Sequence, residues 1–342
     1  MADDTNTSVT IWTDGDIPRY EDLRLALIWV KQILPTITMI VGIFGNTISL
    51  MISTNKKYRR ISTMVYMSGL AAVDNLFCMV MLVIACFINI GYNIKLPHKT
   101  IISIALQGAL YSFAISSRLI LAAMTVDRAF AVMFPLKAKV LCSASRAKRT
   151  VIILTLLSVT WNVHFFFMAE FQFEGTEHEI ILYPYLPAFP LVEQIVSFVT
   201  LGLGVIIPFA VIIISNILII THFKRASISR NKMAESEAGK APENGHLVRM
   251  LISVSLAFVI LCLPYSVKDI VMIFPEMAAI YDLSDPYWVW RLSVIHESFA
   301  VSTTTNHAVN FYIYVLGGGQ RYRTEARNAL KCTARTNGRR NY

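Results

Sequence analysis

The sequence predicts an all-α membrane protein, a bundle of seven transmembrane helices with a short amphipathic surface helix after the seventh. Three observations carry this. The 342 residues are 55% hydrophobic and only 15% charged, and the mean hydropathy of +0.54 lies outside the range of ordinary water-soluble domains. Apolar runs recur at roughly 25–52, 62–91, 100–133, 149–170, 191–221, 247–276 and 286–316, each at least as long as the ~20 residues a spanning helix needs. The basic residues fall on one side of this series.

The segments after the first, third, fifth and seventh runs are the basic ones. NKKYRR at 55–60, KAKVLCSASRAKR at 137–149 and HFKRASISRNK at 222–232 contain no acid, and the tail from Gln320 sets Glu325 against seven Arg or Lys. Lys and Arg close to spans stay in the cytoplasm, so these segments face inward. The opposite segments carry Asp3, Asp4, Asp14, Asp16, Glu21, Asp22, Glu174, Glu177 and Glu179 and face outward. The expected location is the plasma membrane, multi-pass, with the N-terminus extracellular. The inner loops account for the net charge of +9, through topology and contact with anionic lipid of the bilayer, so no nucleic-acid partner is expected.

Three stretches complete the division: an extracellular tail over 1–24, a helical domain over 25–318 and a cytoplasmic surface helix and tail over 319–342. The N-terminus has no cleavable-signal pattern, so the first helix is expected to act as its own insertion signal. Asn6-Thr7-Ser8 is a glycosylation sequon in the outer tail. Residues 226–246, ASISRNKMAESEAGKAPENGH, are polar and carry Gly239, Pro242 and Gly245, which reads as a flexible cytoplasmic loop. In GGGQRYRTEARNALKC, Tyr322, Ala326, Ala329 and Leu330 share a helical face flanked by Arg321, Arg323, Arg327 and Lys331, as suits a helix lying on the bilayer. Cys332 follows as a lipidation candidate, with a free thiol as the alternative.

Within LAAMTVDRAFAVMFPL at 121–136, Asp127 and Arg128 are an acid and a base in an almost unbroken apolar run. At the cytoplasmic end of the third helix they can pair locally, with water one turn away, which reduces the cost of burial. Asp74 is costlier, since a carboxylate in mid-span costs about 2.5–3.5 kcal/mol on insertion scales and needs partners. Arg118 is an unpaired base in the middle of the third helix; it is read as buried against a polar partner.

Each run carries one short motif: GIFGN ending at Asn46, LAAVD ending at Asp74, TVDRAFAVMFPL, Trp161, Pro208, FVILCLP ending at Pro264, and NHAVNFYIY ending at Tyr314. In this order, across all seven runs, the chain resembles the rhodopsin-like G-protein-coupled receptors. NFYIY in the seventh helix and VIIPFAVIIISNILII in the fifth resemble invertebrate neuropeptide receptors of the FMRFamide type, in a divergent form. The resemblance implies a receptor, not an enzyme, that binds an extracellular neuropeptide and activates heterotrimeric G proteins through an outward swing of the sixth helix. A divergent chemosensory receptor for a small molecule, or a non-signalling receptor, is the alternative. A transporter would show internal duplication, which is absent.

The same resemblance makes Asp127 and Arg128 a bistable pair, with Asn310, Tyr314, Pro264 and Cys262 as further parts of the switch. It sets Asn46, Ser117, Asn306 and Asn310 around Asp74, where with water they can hold a sodium ion; a hydrogen-bonded cluster without sodium is the other reading. No other cofactor is implied. Gln107, Leu110, Lys268, Asp269, His296 and Glu297 form the candidate ligand set, beside Glu193, Tyr185, Tyr265, Phe299, Trp288 and Trp290. Departures from the family pattern are Ala129, Cys262, His307, Asn216 and Phe311, standing where an aromatic, Trp, Ser, Tyr and Pro are usual. The five cysteines are Cys78, Cys86, Cys142, Cys262 and Cys332. Ser103 stands where the family has the cysteine that clamps the second outer loop, so that disulfide is not expected. The loop is then held by its aromatics and by Pro184, Pro187 and Pro190. Lysine is absent from 286–316, which excludes a retinal Schiff base there, and Leu110 replaces the Asp of amine receptors.

Overall fold

A computed structural model describes residues 17–91, 101–164, 169–174, 177–182, 190–233, 245–273, 286–317 and 322–330. Asn6, Tyr185, Cys332, residues 234–244 and the side chains of Ser103 and Glu193 lie outside the described residues.

The first helix is Ile17–Ile28 and Leu34–Ser53 joined by a π-helical turn, Trp29–Ile33. The second is Ser62–Gly91, the third Ile101–Met133, the fourth Ala144–Asn162, the sixth Gly245–Ile273 and the seventh Pro286–Gly317. The fifth is Pro190–Leu201 and Ile207–Met233, joined by a second π turn, Gly202–Ile206. Five of these helices are long and apolar enough to cross a membrane by composition alone, within Glu21–Ser53, Ser62–Cys86, Ile104–Met133, Gln194–Arg225 and Arg249–Val271. The seventh is diluted by the Ser, Thr, Asn and His of VSTTTNHAVN. The fourth is diluted by its basic start, ASRAKR.

Side chains sort by environment as a bilayer requires. Ile153 and Leu156 of the fourth helix, Ile214 and Ile217 of the fifth and Ile260 of the sixth point outward. The polar side chains Asn46, Asp74, Ser117, Asn306, His307 and Asn310 are buried. This inverts the sorting of a soluble protein, because lipid is as apolar as a core and only the interior can satisfy polar groups. Helices approach closely at glycine: a Cβ at Gly42 would lie 2.9 Å from the Cβ of Ala308, and one at Gly69 2.6 Å from Cγ1 of Val151. Trp161 Nε1 donates to Thr200 Oγ1 at 3.1 Å, tying the fourth helix to the fifth.

The structure differs from the sequence reading in three places. The segment between the fourth and fifth helices contains a β-hairpin, β1 (Ala169–Glu174) antiparallel to β2 (Glu177–Leu182), so main-chain hydrogen bonds join its two arms; Pro184 and Pro187 lie outside the described residues. The fifth helix runs to Met233 and the sixth begins at Gly245, so 226–233 is helix and not loop. Once a helix is nucleated in the membrane, adding residues that form helices adequately, as in ASISRNKM, costs little. On the surface helix, over 322–330, Tyr322 and Ala326 are buried while Leu330 is exposed. Arg323 donates to the carbonyls of Val315 (3.0 Å) and Leu316 (2.9 Å), capping the seventh helix. Glu325 accepts from Lys57 Nζ at 3.1 Å and from Tyr58 Oη at 2.9 Å, fastening the helix over 322–330 to the loop between the first and second helices.

Candidate functional site

The candidate side chains lie at successive levels of the bundle, from the end that carries the basic loops to the opposite end. At the mouth, Arg128 pairs with Asp127 of its own helix. Ser62, at the start of the second helix, stands between them: its Oγ donates to Asp127 Oδ2 at 2.9 Å and accepts from Arg128 Nη2 at 2.6 Å. Cys142 Sγ donates to the Asp127 carbonyl at 3.4 Å. Burial, then the neighbouring Asp127 carboxylate, pushes the Cys142 thiol up to about 11. Arg128 is thus held toward the second helix by Ser62, and among the described residues no hydrogen bond from it to the sixth is seen. Nearby the sixth and seventh helices close on each other, with Met250 Cα 3.3 Å from where a Cβ on Gly317 would sit. Tyr314 is fully buried, edge-on to Tyr322 with ring centroids 6.0 Å apart.

One level up, Asp74 is fully buried and each oxygen is engaged. Oδ1 accepts from Ser117 Oγ (2.7 Å) and from His307 Nδ1 (2.7 Å), and Oδ2 accepts from Asn310 Nδ2 (2.8 Å). The carboxylate only accepts, so the imidazole donates from Nδ1. Phe77 stacks on the imidazole at 3.9 Å. Asn46 reaches the main-chain oxygen of His307 at 2.8 Å and not Asp74, and Asn306 is buried without a hydrogen bond to the carboxylate. His307, named from the sequence only as a departure, is therefore a direct partner of Asp74. The set does not fit a sodium ion. A hard cation is held by oxygen ligands, and here a nitrogen donor occupies Oδ1 while Ser117 and Asn310 turn their hydrogens to the carboxylate. Asn46 Oδ1 and Asn310 Oδ1 remain as acceptors without a described partner.

Pro264 lies inside the sixth helix and lacks the N–H that would meet the Ile260 carbonyl. In the same turn the carbonyl of Leu261 accepts from Ser302 Oγ of the seventh helix at 2.9 Å. Cys262 is buried beside this turn.

At the outer end Lys268 contacts Asp269 at 2.8 Å and His296 Nε2 at 3.3 Å, with its ammonium 4.4 Å from the Tyr265 ring centre. Glu297 lies 3.6 Å from Lys31 and 4.0 Å from His296. The structure thus brings Lys268, Asp269, His296 and Glu297 of the predicted ligand set together. Gln107 is exposed on the third helix, whereas Leu110 packs with Met39, Phe77 and Ala114.

Arg118 has its polar partner. Nη1 donates to the carbonyl of Gly204 at 2.8 Å, inside the π turn of the fifth helix. In a regular helix that carbonyl would accept from the residue four further on, which is Pro208 and has no N–H. The guanidinium thus gives the Gly204 carbonyl a donor that Pro208 cannot. The signal lay in the sequence, since a proline names the carbonyl it strands.

The seven-helix bundle thus holds a buried carboxylate at its centre and an acid–base pair at the end that carries the basic loops. The model of the 7 transmembrane receptor (rhodopsin family) matches residues 45–314, and the chain belongs to that family. It is 25% identical over 325 residues to a FMRFamide receptor of Drosophila melanogaster, covering 88% of this chain but 54% of the relative, so it spans about half that protein's length. It is also 24% identical over 239 residues to a cysteinyl leukotriene receptor 1 of Sus scrofa, covering 70% of this chain and 67% of the relative. A Cavia porcellus protein of the same description is 25% identical over 240 residues, covering 70% and 67%.

Proposed function

We propose that the chain is a plasma-membrane receptor, N-terminus outside, that binds an extracellular peptide and activates heterotrimeric G proteins. The observation that carries this is the Asp127–Ser62–Arg128 lock at the cytoplasmic mouth. An outward swing of the sixth helix opens the space beside the third, and a guanidinium freed from Asp127 turns into it to meet the G protein. Ligand and G protein each prefer the open arrangement, so each shifts the equilibrium by its difference in affinity for the two states.

The peptide part of the reading is supported by the name of the fruit fly relative and by the mixed charges of Lys268, Asp269, His296 and Glu297 among aromatics. A small-molecule ligand is the second reading, favoured by the matches to cysteinyl leukotriene receptors. The Asp74 cluster works without sodium, since His307 holds the carboxylate from within the protein.

The test is nucleotide exchange on purified G proteins. Arg128→Ala should lose stimulated exchange while surface expression persists. Unchanged exchange by that variant would overturn the mechanism.

A further inference from the structure

At the end of the bundle opposite the basic loops, the first, sixth and seventh helices meet in a cluster of charged side chains. Lys268 of the sixth helix contacts Asp269 at 2.8 Å and His296 Nε2 of the seventh at 3.3 Å. Glu297 of the seventh lies 4.0 Å from His296 Nδ1 and 3.6 Å from Lys31 of the first. Tyr265 adds a ring, 4.4 Å from the ammonium and 5.9 Å from the imidazole centre. With a neutral imidazole, the charges of Lys31 and Lys268 balance those of Asp269 and Glu297.

The contact between Lys268 and His296 joins the sixth helix to the seventh, and its chemistry makes it sensitive to acid. An ammonium has hydrogens and no acceptor, so Nε2 accepts and the ring hydrogen sits on Nδ1, on the side of Glu297. Asp269 and the Tyr265 ring hold the ammonium in place. A carboxylate in place of the imidazole would make a link indifferent to mild acid. An imidazole makes one that a proton breaks, because protonated Nε2 carries a hydrogen, accepts nothing and sets two cations 3.3 Å apart. The same proton draws the ring toward Glu297, in competition with Lys31. It therefore exchanges a partner on the sixth helix for one on the seventh. The His296 side chain is 42% exposed, so protons from the surrounding water reach it.

We propose that His296 is a proton-binding site on the outer face, through which mild extracellular acid releases the sixth helix from the seventh and favours the open arrangement of the bundle. The bond from Lys268 to His296 is present while Arg128 is held by Ser62 and Asp127, so losing it weakens the closed arrangement. This rests on the receptor reading, which puts this end of the bundle outside the cell and the swing of the sixth helix at the other.

The experiment uses the purified full-length chain with the proton itself as the probe. Thermal midpoints are compared at about pH 8 and about pH 5.5, on either side of the ordinary imidazole pKa. The bond needs the neutral ring, so the stability it gives is present above about pH 6.5 and fades below it. Wild type should lose several degrees more on acidification than His296→Gln, whose amide oxygen still accepts from Lys268 and takes no proton. When Lys268→Gln is added to both proteins that excess should vanish, because the opposing ammonium is gone. An equal loss in wild type and His296→Gln would overturn the proposal, as would an excess that survives Lys268→Gln.

Nucleotide exchange separates this from the receptor reading. Between about pH 7.5 and about pH 6, ligand-independent exchange by wild type should rise several-fold relative to His296→Gln, a comparison that cancels the pH response of the G protein itself. If acid moves the midpoint through His296 while neither acid nor Asp127→Asn prompts exchange, the signalling role fails and the proton site stands. If Asp127→Asn raises exchange and acid does not, the receptor reading stands and the proposal falls.

Discussion

Ser62 Oγ bridges Asp127 and Arg128: it donates to Asp127 at 2.9 Å and accepts from Arg128 at 2.6 Å, so one hydroxyl ties the ion pair to the second helix. Hydrogen bonds to charged groups are worth about 1.5–3 kcal/mol. Ser62→Ala should therefore loosen Arg128 without removing its charge. Ligand-independent nucleotide exchange should rise by about tenfold, the effect of ~1.4 kcal/mol on a two-state equilibrium, and Asp127→Asn should raise it further. Basal exchange equal to wild type in both variants would show that the pair does not hold the resting state.

A different measurement reads the Asp74 cluster. With His307 Nδ1 at 2.7 Å from Oδ1, the thermal midpoint of the purified protein should be the same in sodium chloride as in potassium chloride. His307→Ser removes the nitrogen and opens the carboxylate, so that variant should be stabilised by sodium. In potassium it should be less stable than wild type by about 1.5–3 kcal/mol, the worth of a hydrogen bond to a charged group. Sodium stabilisation of the wild type would contradict this geometry.

Cys142 offers a chemical probe of the mouth. Its thiol is pushed up to about 11 by burial and by Asp127, so less of it is thiolate at pH 8 than for an ordinary cysteine. Deprotonation lost is partly offset by the higher nucleophilicity of a more basic thiolate, which leaves alkylation about tenfold slower. The rate should climb with pH until about 11, and Asp127→Asn should speed it at pH 8. Reaction of Cys142 as fast as that of exposed Cys86, measured by mass spectrometry of each peptide, would show that the site is open.

Close packing gives a stability prediction. A Cβ on Gly42 would lie 2.9 Å from the Cβ of Ala308 and 3.0 Å from Sγ of Cys78, closer than such atoms pack. Gly42→Ala must push the first helix off the seventh, straining the bond from Asn46 to the His307 carbonyl. Overpacking of this kind costs about 1–3 kcal/mol, and the thermal midpoint should fall. Gly202→Ala, with no atom within 4 Å of its added Cβ, is the control and should leave the midpoint near wild type.

The sequence by itself determined the number and order of the membrane helices, because spanning length and hydropathy are local properties that lipid enforces on each segment separately. It also determined which polar residues are expensive, since Asp74, Arg118, Asp127 and Arg128 stand out in their own runs. Element ends were legible only roughly: the fifth helix continues past its apolar run to Met233, where hydropathy no longer reports on helix. Partnership was decided by the tertiary structure. His307 and Asp74 are 233 positions apart and meet at 2.7 Å, Ser62 reaches over to the third helix, and Arg118 finds a carbonyl on the fifth. The partner of a buried charge is whatever the packing of other helices brings within hydrogen-bond reach, and a distance across the bundle is written in no single segment.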